Sequence, residues 1–178
     1  LTYNPDNIVS SMLGHMHNIT TLHLIGIDGI TDQDISEILD SAIVMEELVL
    51  KDIPFGFQTV ESLTSAVPNI QRLTLEGSNI FTNTHLRCVT AICLKLTQLS
   101  LKRLPEVADD AFSRCVTLKQ LNSIDISYLS SNITGKFMSY IQFCPELQHI
   151  IMDGCKVSDW INMIPTLNGG LAKSLKTL

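Results

Sequence analysis

The sequence predicts a repeating α/β solenoid in which short parallel strands line a concave face and helices cover the convex face. Three observations lead to this fold class. Apolar residues recur with the spacing L-x-x-L-x-L, the motif returns every 25 or 26 residues, and an amphipathic helical segment follows the strand of each copy. Such a unit cannot bury its apolar side alone, so it needs a copy of itself on each side.

The clearest copy of the motif is CPELQHIIMDGCKVSDW at residues 144–160, where Leu147, Ile150 and Met152 carry the spacing and Cys155 follows three residues later. Five earlier copies keep phase with it. The second apolar residues of the six copies are Leu22, Leu48, Leu73, Leu99, Ile124 and Ile150. This pattern predicts a leucine-rich-repeat solenoid, or horseshoe, of about six full repeats.

A helix is expected after each strand. In the first repeat Thr31 or Asp32 is expected to cap it. The predicted buried stripes of the first five helices are Ile35, Ile38 and Leu39; Val60, Leu63 and Val67; Leu86, Val89 and Ile92; Ala111, Phe112 and Cys115; and Phe137, Met138 and Ile141. We also expect a helix that starts near Pro5 and a sixth helix that carries Trp160.

The repeats predict one leucine-rich-repeat domain over residues 1–178, with partial repeats at both ends. Residues 175–178 have the pattern of a seventh strand. Because an uncapped solenoid end leaves apolar surface in water, we expect this chain to be a fragment of a longer solenoid. Flanking repeats or a capping partner would then cover both ends.

Composition and charge disfavour some classes of partner and indicate the redox compartment. The net charge of −6 disfavours nucleic acid as a partner, since phosphate binding needs a basic surface. No apolar run reaches the length of a membrane span, and no signal-peptide pattern is present, so we expect no membrane partner. The five cysteines form no C-x-x-C pair and are expected to be free, buried thiols in a reducing compartment, the cytoplasm or nucleus.

The sequence gives no sign of catalytic or metal chemistry. His15 and His17 lie two residues apart, and no carboxylate or cysteine completes a metal-binding set around them. The sequence contains no G-x-G-x-x-G, P-loop, G-x-S-x-G or H-E-x-x-H motif. We therefore expect a non-catalytic protein without cofactor or metal.

Protein binding is the function that the pattern favours. Residues that alternate with the buried strand positions, including Ser127 in the fifth strand, are expected to project from the concave face. Arg72 and Lys102 are expected to pair with acidic groups of a partner. The strand-to-helix loops are a rival interface, in which Arg103, Tyr128 and Trp160 are the best hot-spot candidates. The predicted protein-binding residues are His23, Lys51, Arg72, Glu76, Lys102, Arg103, Asp125, Tyr128, His149 and Asp153.

The segment CPELQHIIMDGCKVSD at 144–159 fits C-P-x-L-x-x-L-x-L-x-x-C followed by a hydrophobic–Ser/Thr–Asp step, and ITD at 30–32 repeats that step. Weaker copies are ICLKLTQLSL at 92–101 and SRCVTLKQL at 113–121. The chain thus resembles the cysteine-containing leucine-rich repeats of the F-box family. The resemblance implies a substrate-recognition solenoid of a cullin-type ubiquitin ligase receptor, with any F-box outside these residues. Ciliary and cytoskeletal scaffold proteins have similar degenerate repeats, so a structural subunit of an axonemal or cytoskeletal assembly is the alternative.

Overall fold

The computed structural model describes residues 15–155, 171 and 174–178. Within them, six short strands form one parallel sheet in chain order. The strands are β1 (Thr21–Ile25), β2 (Glu47–Lys51), β3 (Arg72–Glu76), β4 (Gln98–Lys102), β5 (Ser123–Asp125) and β6 (His149–Ile151). The chain therefore forms the predicted α/β leucine-rich-repeat solenoid.

The register of the sheet follows the sequence motif. Each second motif residue pairs with its counterpart in the next strand, from Leu22 with Leu48 through to Ile124 with Ile150. Along each strand, buried residues alternate with more exposed ones. Since side chains alternate across a strand, this spacing fixes which set faces the core.

Helices and 3₁₀ segments cover the other side of the sheet. They are a 3₁₀ turn (Met16–Asn18), α1 (Asp32–Asp40), α2 (Phe57–Ser65), α3 (Asn83–Ile92), a 3₁₀ helix (Asp109–Thr117) and α4 (Met138–Ile141). The fourth repeat thus closes with a 3₁₀ helix and the fifth with a single α turn. Four buried phenylalanines pack in pairs in the core, with the rings of Phe55 and Phe81 5.6 Å apart and those of Phe112 and Phe137 5.4 Å apart.

The start of α1 shows why two candidate caps stand side by side in the sequence. Thr31 is the N-cap of its own helix: its hydroxyl accepts the Asp34 N–H at 3.2 Å, and the Asp34 carboxylate accepts the Thr31 N–H at 2.8 Å. This is a capping box. Asp32 faces the next repeat instead, so Thr31 is the residue that caps α1.

The Asp32 carboxylate joins the first repeat to the second. It accepts the backbone N–H groups of Gly56, Gln58 and Thr59 at 2.7, 2.9 and 3.1 Å, and the Thr59 hydroxyl at 2.6 Å. Burial disfavours ionisation of Asp32, but the hydrogen bonds from Thr59 and the other donors outweigh it and lower the pKa of this carboxyl. The unpaired N–H groups at the start of α2 thus find their acceptor in the preceding repeat.

The same link recurs further along the solenoid. The Asn83 side-chain oxygen accepts the Ala108 N–H at 2.8 Å, just before the 3₁₀ helix. The Asp109 carboxylate, almost fully buried, accepts the N–H groups of Thr134 and Phe137, both at 2.9 Å. Asp32, Asn83 and Asp109 are hereafter the inter-repeat caps.

Two predictions about α3 are wrong. Ile92 was expected in the buried stripe and Cys88 at a packing position, but Ile92 is 45% exposed and Cys88 is also exposed. Two steps of three residues carry Ile92 about 120° around the helix from Leu86, because each residue turns the helix by about 100°. The buried stripe continues through Val89 and Thr90 instead.

The other cysteines follow the expectation more closely. Cys93, Cys115 and Cys144 are buried, and Cys155 is half-buried. The Cys144 thiol donates to the Cys115 carbonyl at 3.1 Å. The Cys155 thiol donates to the Ile126 carbonyl at 3.0 Å. Burial raises the pKa of Cys93 to about 12 and that of Cys144 to about 11, so these thiols are not nucleophiles at neutral pH.

Some predictions fall at or beyond the edges of the described part. The helix near Pro5 and the helix with Trp160 lie outside the described residues. Thr177 forms a parallel bridge with His149, beside β6, where the sequence predicts the next strand. No helix in the described residues is long and apolar enough to cross a membrane. The extent of the domain, residues 1–178 as part of a longer solenoid, stays a prediction.

Candidate functional site

The concave face is the open side of the sheet, and three rows of side chains cross it. The first row consists of Thr21, Glu47, Arg72, Gln98, Ser123 and His149, the second of His23, Val49, Thr74, Ser100, Asp125 and Ile151, and the third of Ile25, Lys51, Glu76 and Lys102. The third row stops at β4, because β5 ends at Asp125. Ser127, expected on this face, is buried and accepts the Asp153 N–H at 3.2 Å, so that prediction is wrong.

Glu47 joins two of the predicted binding residues. Its carboxylate lies 3.1 Å from His23 Nε2 and 2.8 Å from both Nε and Nη2 of Arg72. The hydrogen bond from Arg72, followed by that from His23, lowers the pKa of Glu47. Arg72 is therefore already paired within the chain, and an acidic group of a partner would compete with Glu47 for it.

A second cluster lies where the third row meets the loops. Glu76 lies 3.3 Å from Lys51 Nζ and 2.9 Å from Arg103 Nη2. Arg103 also reaches back to Asp52, at 2.6 Å. One guanidinium thus bridges two carboxylates from two earlier repeats, while its side chain stays 51% exposed.

Lys102 and Asp125 form the third cluster, with 2.6 Å between Nζ and the carboxylate. Burial disfavours the charge on Asp125, but hydrogen bonds from Lys102 and Ser127 outweigh it and lower the pKa of this carboxyl. As with Arg72, the cation predicted to meet an acidic partner group already has an acid beside it.

A polar cleft of about 220 Å³ lies between these clusters, over β3, β4 and β5. Small hydroxyl side chains, Thr74, Ser100 and Ser123, line it together with Gln98. Glu47, Arg72 and Asp125 also line the cleft, so it offers donors and acceptors around space for one partner side chain.

The strand-to-helix turns form the loop edge of the face. Two residues after the last motif position, each turn has a positive φ, at Gly26, Asp52, Gly77, Arg103, Tyr128 and Gly154. Three of these six are not glycine, and a left-handed conformation costs an ordinary residue about 1–2 kcal/mol. Strain of this kind concentrates at functional sites.

Neighbouring side chains explain why Gly77 and Gly154 are glycine. A Cβ on Gly77 would fall on the Asp52 carboxylate, and one on Gly154 would fall on the Tyr128 ring. Tyr128 thus covers Gly154 while its side chain remains well exposed. The side chains of Asp52 and Tyr128 thus each lie over the following turn, which has only a hydrogen at this position.

The structure brings most predicted residues together in pairs and leaves others apart. His149 lies at the far end of the first row, 3.1 Å from the Thr177 hydroxyl. Asp153 is exposed, and its carbonyl accepts the Tyr128 N–H at 2.8 Å. Glu47 and Asp52, which the sequence did not single out as binding residues, contact three of the predicted binding residues, His23, Arg72 and Arg103. The signal for Asp52 was its repeat position, which glycine occupies in other turns.

The described residues contain no group of three or more His, Cys, Asp or Glu side chains that could hold a metal ion. The paired charges suit recognition of a polar surface, since each pair offers both an acceptor and a donor that a partner can engage.

No family model matches the chain. The chain is 26% identical over 107 residues to F-box/LRR-repeat protein 4 from Bos taurus, an alignment that covers 60% of this chain and 17% of that protein. The chain therefore corresponds to a small part of this relative. Among solved structures, the tropomodulin C-terminal domain from Caenorhabditis elegans is similar, with a TM-score of 0.47, 8% identity, and coverage of 93% of this chain and 94% of that one. The distant homology to a leucine-rich-repeat protein indicates a protein-interaction module.

Proposed function

We propose that this chain is a non-catalytic recognition module that binds a protein segment along its concave face, with the loop edge as the border of the interface. The observation that carries the proposal is the polar cleft at the centre of the face, surrounded by charge clusters whose carboxylates and cations remain partly exposed. An extended segment laid across the strands would place one side chain in the cleft and polar groups against the clusters.

The partner in this proposal is the substrate of a ubiquitin ligase, and the chain is the substrate-recognition part of an F-box-type receptor. The support is the motif at 144–159 and the similarity to F-box/LRR-repeat protein 4. The second candidate is a scaffold subunit of a ciliary, axonemal or other cytoskeletal assembly, which the same surface would serve. We place either function in the cytoplasm or nucleus, because the thiols are free.

The test fills the cleft without breaking a charge pair. Reversing the charge of Arg72 would put two carboxylates beside each other and disturb the sheet itself. Ser100→Arg instead places a long side chain in the cleft from its floor, and Ser65→Arg adds the same charge at an exposed position of α2 as a control. The full-length protein that contains this chain is purified from cells in each form, and bound proteins are quantified by mass spectrometry.

A partner lost with Ser100→Arg and retained with Ser65→Arg supports binding on the concave face. If this partner also accumulates when the full-length protein is depleted, it behaves as a ligase substrate; if its lifetime is unchanged, the scaffold function is favoured. Identical partner sets for both variants would overturn the proposed interface.

A further inference from the structure

Charge is unevenly distributed along the solenoid. Residues 15–71 contain nine acidic side chains and a single cation, Lys51, whereas residues 72–155 contain eight cations and seven acids. On the helical side, α1 and α2 expose Glu37, Asp40 and Glu61. The first two repeats are therefore strongly acidic, whereas the later repeats carry nearly equal numbers of acids and cations.

A cleft of about 460 Å³ opens on the helical side of the later repeats, between α3 and the 3₁₀ helix of the fourth repeat. Its lining is mostly apolar, and it is formed by Thr84, Arg87, Cys88, Ala91, Ile92 and Arg114. The cleft explains the exposure of Ile92 and Cys88, because both face it rather than the core.

The two arginines in the cleft differ from those on the concave face. Arg72 and Arg103 each lie within 3 Å of a carboxylate. Arg87 and Arg114 form no ion pair with any residue in the described part of the chain, and Arg87 donates to the Thr84 hydroxyl at 3.2 Å. Two guanidiniums that have no acidic partner among the described residues thus border an apolar floor.

We propose that this convex cleft is a second docking site, which binds an acidic, apolar segment of a protein partner. Carboxylates form paired hydrogen bonds with guanidinium groups, and apolar side chains between them would contact Ile92 and Ala91. An anionic membrane fits less well, because the neighbouring convex surface carries Glu37, Asp40 and Glu61, and a flat lipid surface would bring anions against them. The site lies on the opposite side of the solenoid from the concave face and does not depend on the function proposed there.

The probe is a synthetic fluorescent helical peptide of Ala, Leu and Glu, with its leucine stripe bordered by glutamates, and a second peptide with Lys in place of Glu. Binding to the 178-residue chain is measured by fluorescence anisotropy. We expect the double variant Arg87→Glu/Arg114→Glu to weaken binding of the acidic peptide at least ~10-fold, the scale of losing close charge pairs. Ile92→Ser should weaken it about 3-fold through lost apolar contact. The Lys peptide should not bind.

Control variants distinguish docking in this cleft from general electrostatic attraction. Lys136→Glu with Lys176→Glu changes the net charge by the same amount outside the cleft and should leave binding unchanged. Equal weakening by this control pair would show that the whole charge of the chain attracts the peptide, and would overturn the proposal. Equal binding of the acidic peptide to all variants would overturn it as well.

Two further measurements compare the proposed occupant with a membrane and with a second copy of the chain. If the native chain sediments with vesicles that contain phosphatidylserine and the Arg87→Glu/Arg114→Glu variant does not, the cleft binds membranes and the proposal is overturned. If the native chain dimerises with increasing concentration and that variant does not, the cleft binds a second copy of the chain, which would also overturn the proposal.

Discussion

Replacing Asp32 by Asn tests whether the inter-repeat caps stabilise the solenoid. The carboxylate accepts four hydrogen bonds from the start of the second repeat's helix, and asparagine offers one oxygen and two donors in its place. Losing a cap costs about 0.5–2 kcal/mol, and hydrogen bonds to a charged group contribute about 1.5–3 kcal/mol. Because Asp32 is partly exposed, water replaces some of these bonds, and we expect the free energy of unfolding to fall by about 2 kcal/mol.

The assay is urea unfolding at pH 7, followed by circular dichroism, with Asp40→Asn as the matched control. Asp40 lies exposed at the end of the same helix. For a slope near 2 kcal/mol per molar urea, Asp32→Asn should lower the midpoint by about 1 M, and Asp40→Asn should change it little. Equal midpoints for the two variants would refute the structural role of this carboxylate.

The pH dependence gives a second check on the same residue. The folded-state pKa of Asp32 is lowered, so its stabilisation is complete above the unfolded-state pKa of about 3.9 and is lost as the pH falls through the folded-state pKa. The difference in stability between the native chain and Asp32→Asn should therefore be constant from pH 7 to about pH 5 and shrink below pH 4. A difference that does not change in acid would mean that the charge contributes nothing.

Two further predictions concern the core. Brief treatment with iodoacetamide at pH 8 should modify exposed Cys88 but not Cys93 or Cys144, because burial raises the pKa values of the latter two to about 12 and about 11. Peptide mass spectrometry measures the labelling, with a urea-unfolded sample as reference. Equal labelling of Cys88 and Cys93 would contradict this prediction. Leu73→Ala should destabilise the fold by about 2–5 kcal/mol in thermal unfolding, since Leu73 is 1% exposed. Thr74→Ala on the concave face should cost less than about 1 kcal/mol. Similar losses of stability for both variants would show that the motif does not decide which side of the strand is buried.

The sequence was sufficient to predict the sheet and its register, because one spacing sets both the buried side of each strand and its neighbour. The prediction for α3 was wrong, because a stripe drawn in steps of three residues leaves the buried side of the helix and includes Ile92, which is exposed. The prediction for Ser127 was also wrong, because the alternation of a strand stops where β5 ends and the alternation alone does not reveal that end.

The candidate site was predictable as a surface but not as a set of interactions. The rows of the concave face follow from strand alternation. Which acid each cation would meet depends on side chains from strands about 25 residues apart, so Arg72 and Lys102 were expected to be available to a partner. The bridging position of Arg103 depends on the positive φ of its turn. In other repeats a glycine in the sequence indicates this conformation, but an arginine does not.

The inter-repeat caps give the solenoid a direction. At the starts of α2, the 3₁₀ helix of the fourth repeat and α4, the acceptor oxygen always comes from the preceding unit of the chain, so the two ends of such an array are not equivalent. Deleting a unit ahead of α2 would leave its first N–H groups without an acceptor, whereas deleting one behind it would leave them satisfied. Shortened forms should therefore tolerate loss from the C-terminal side better than loss from the N-terminal side.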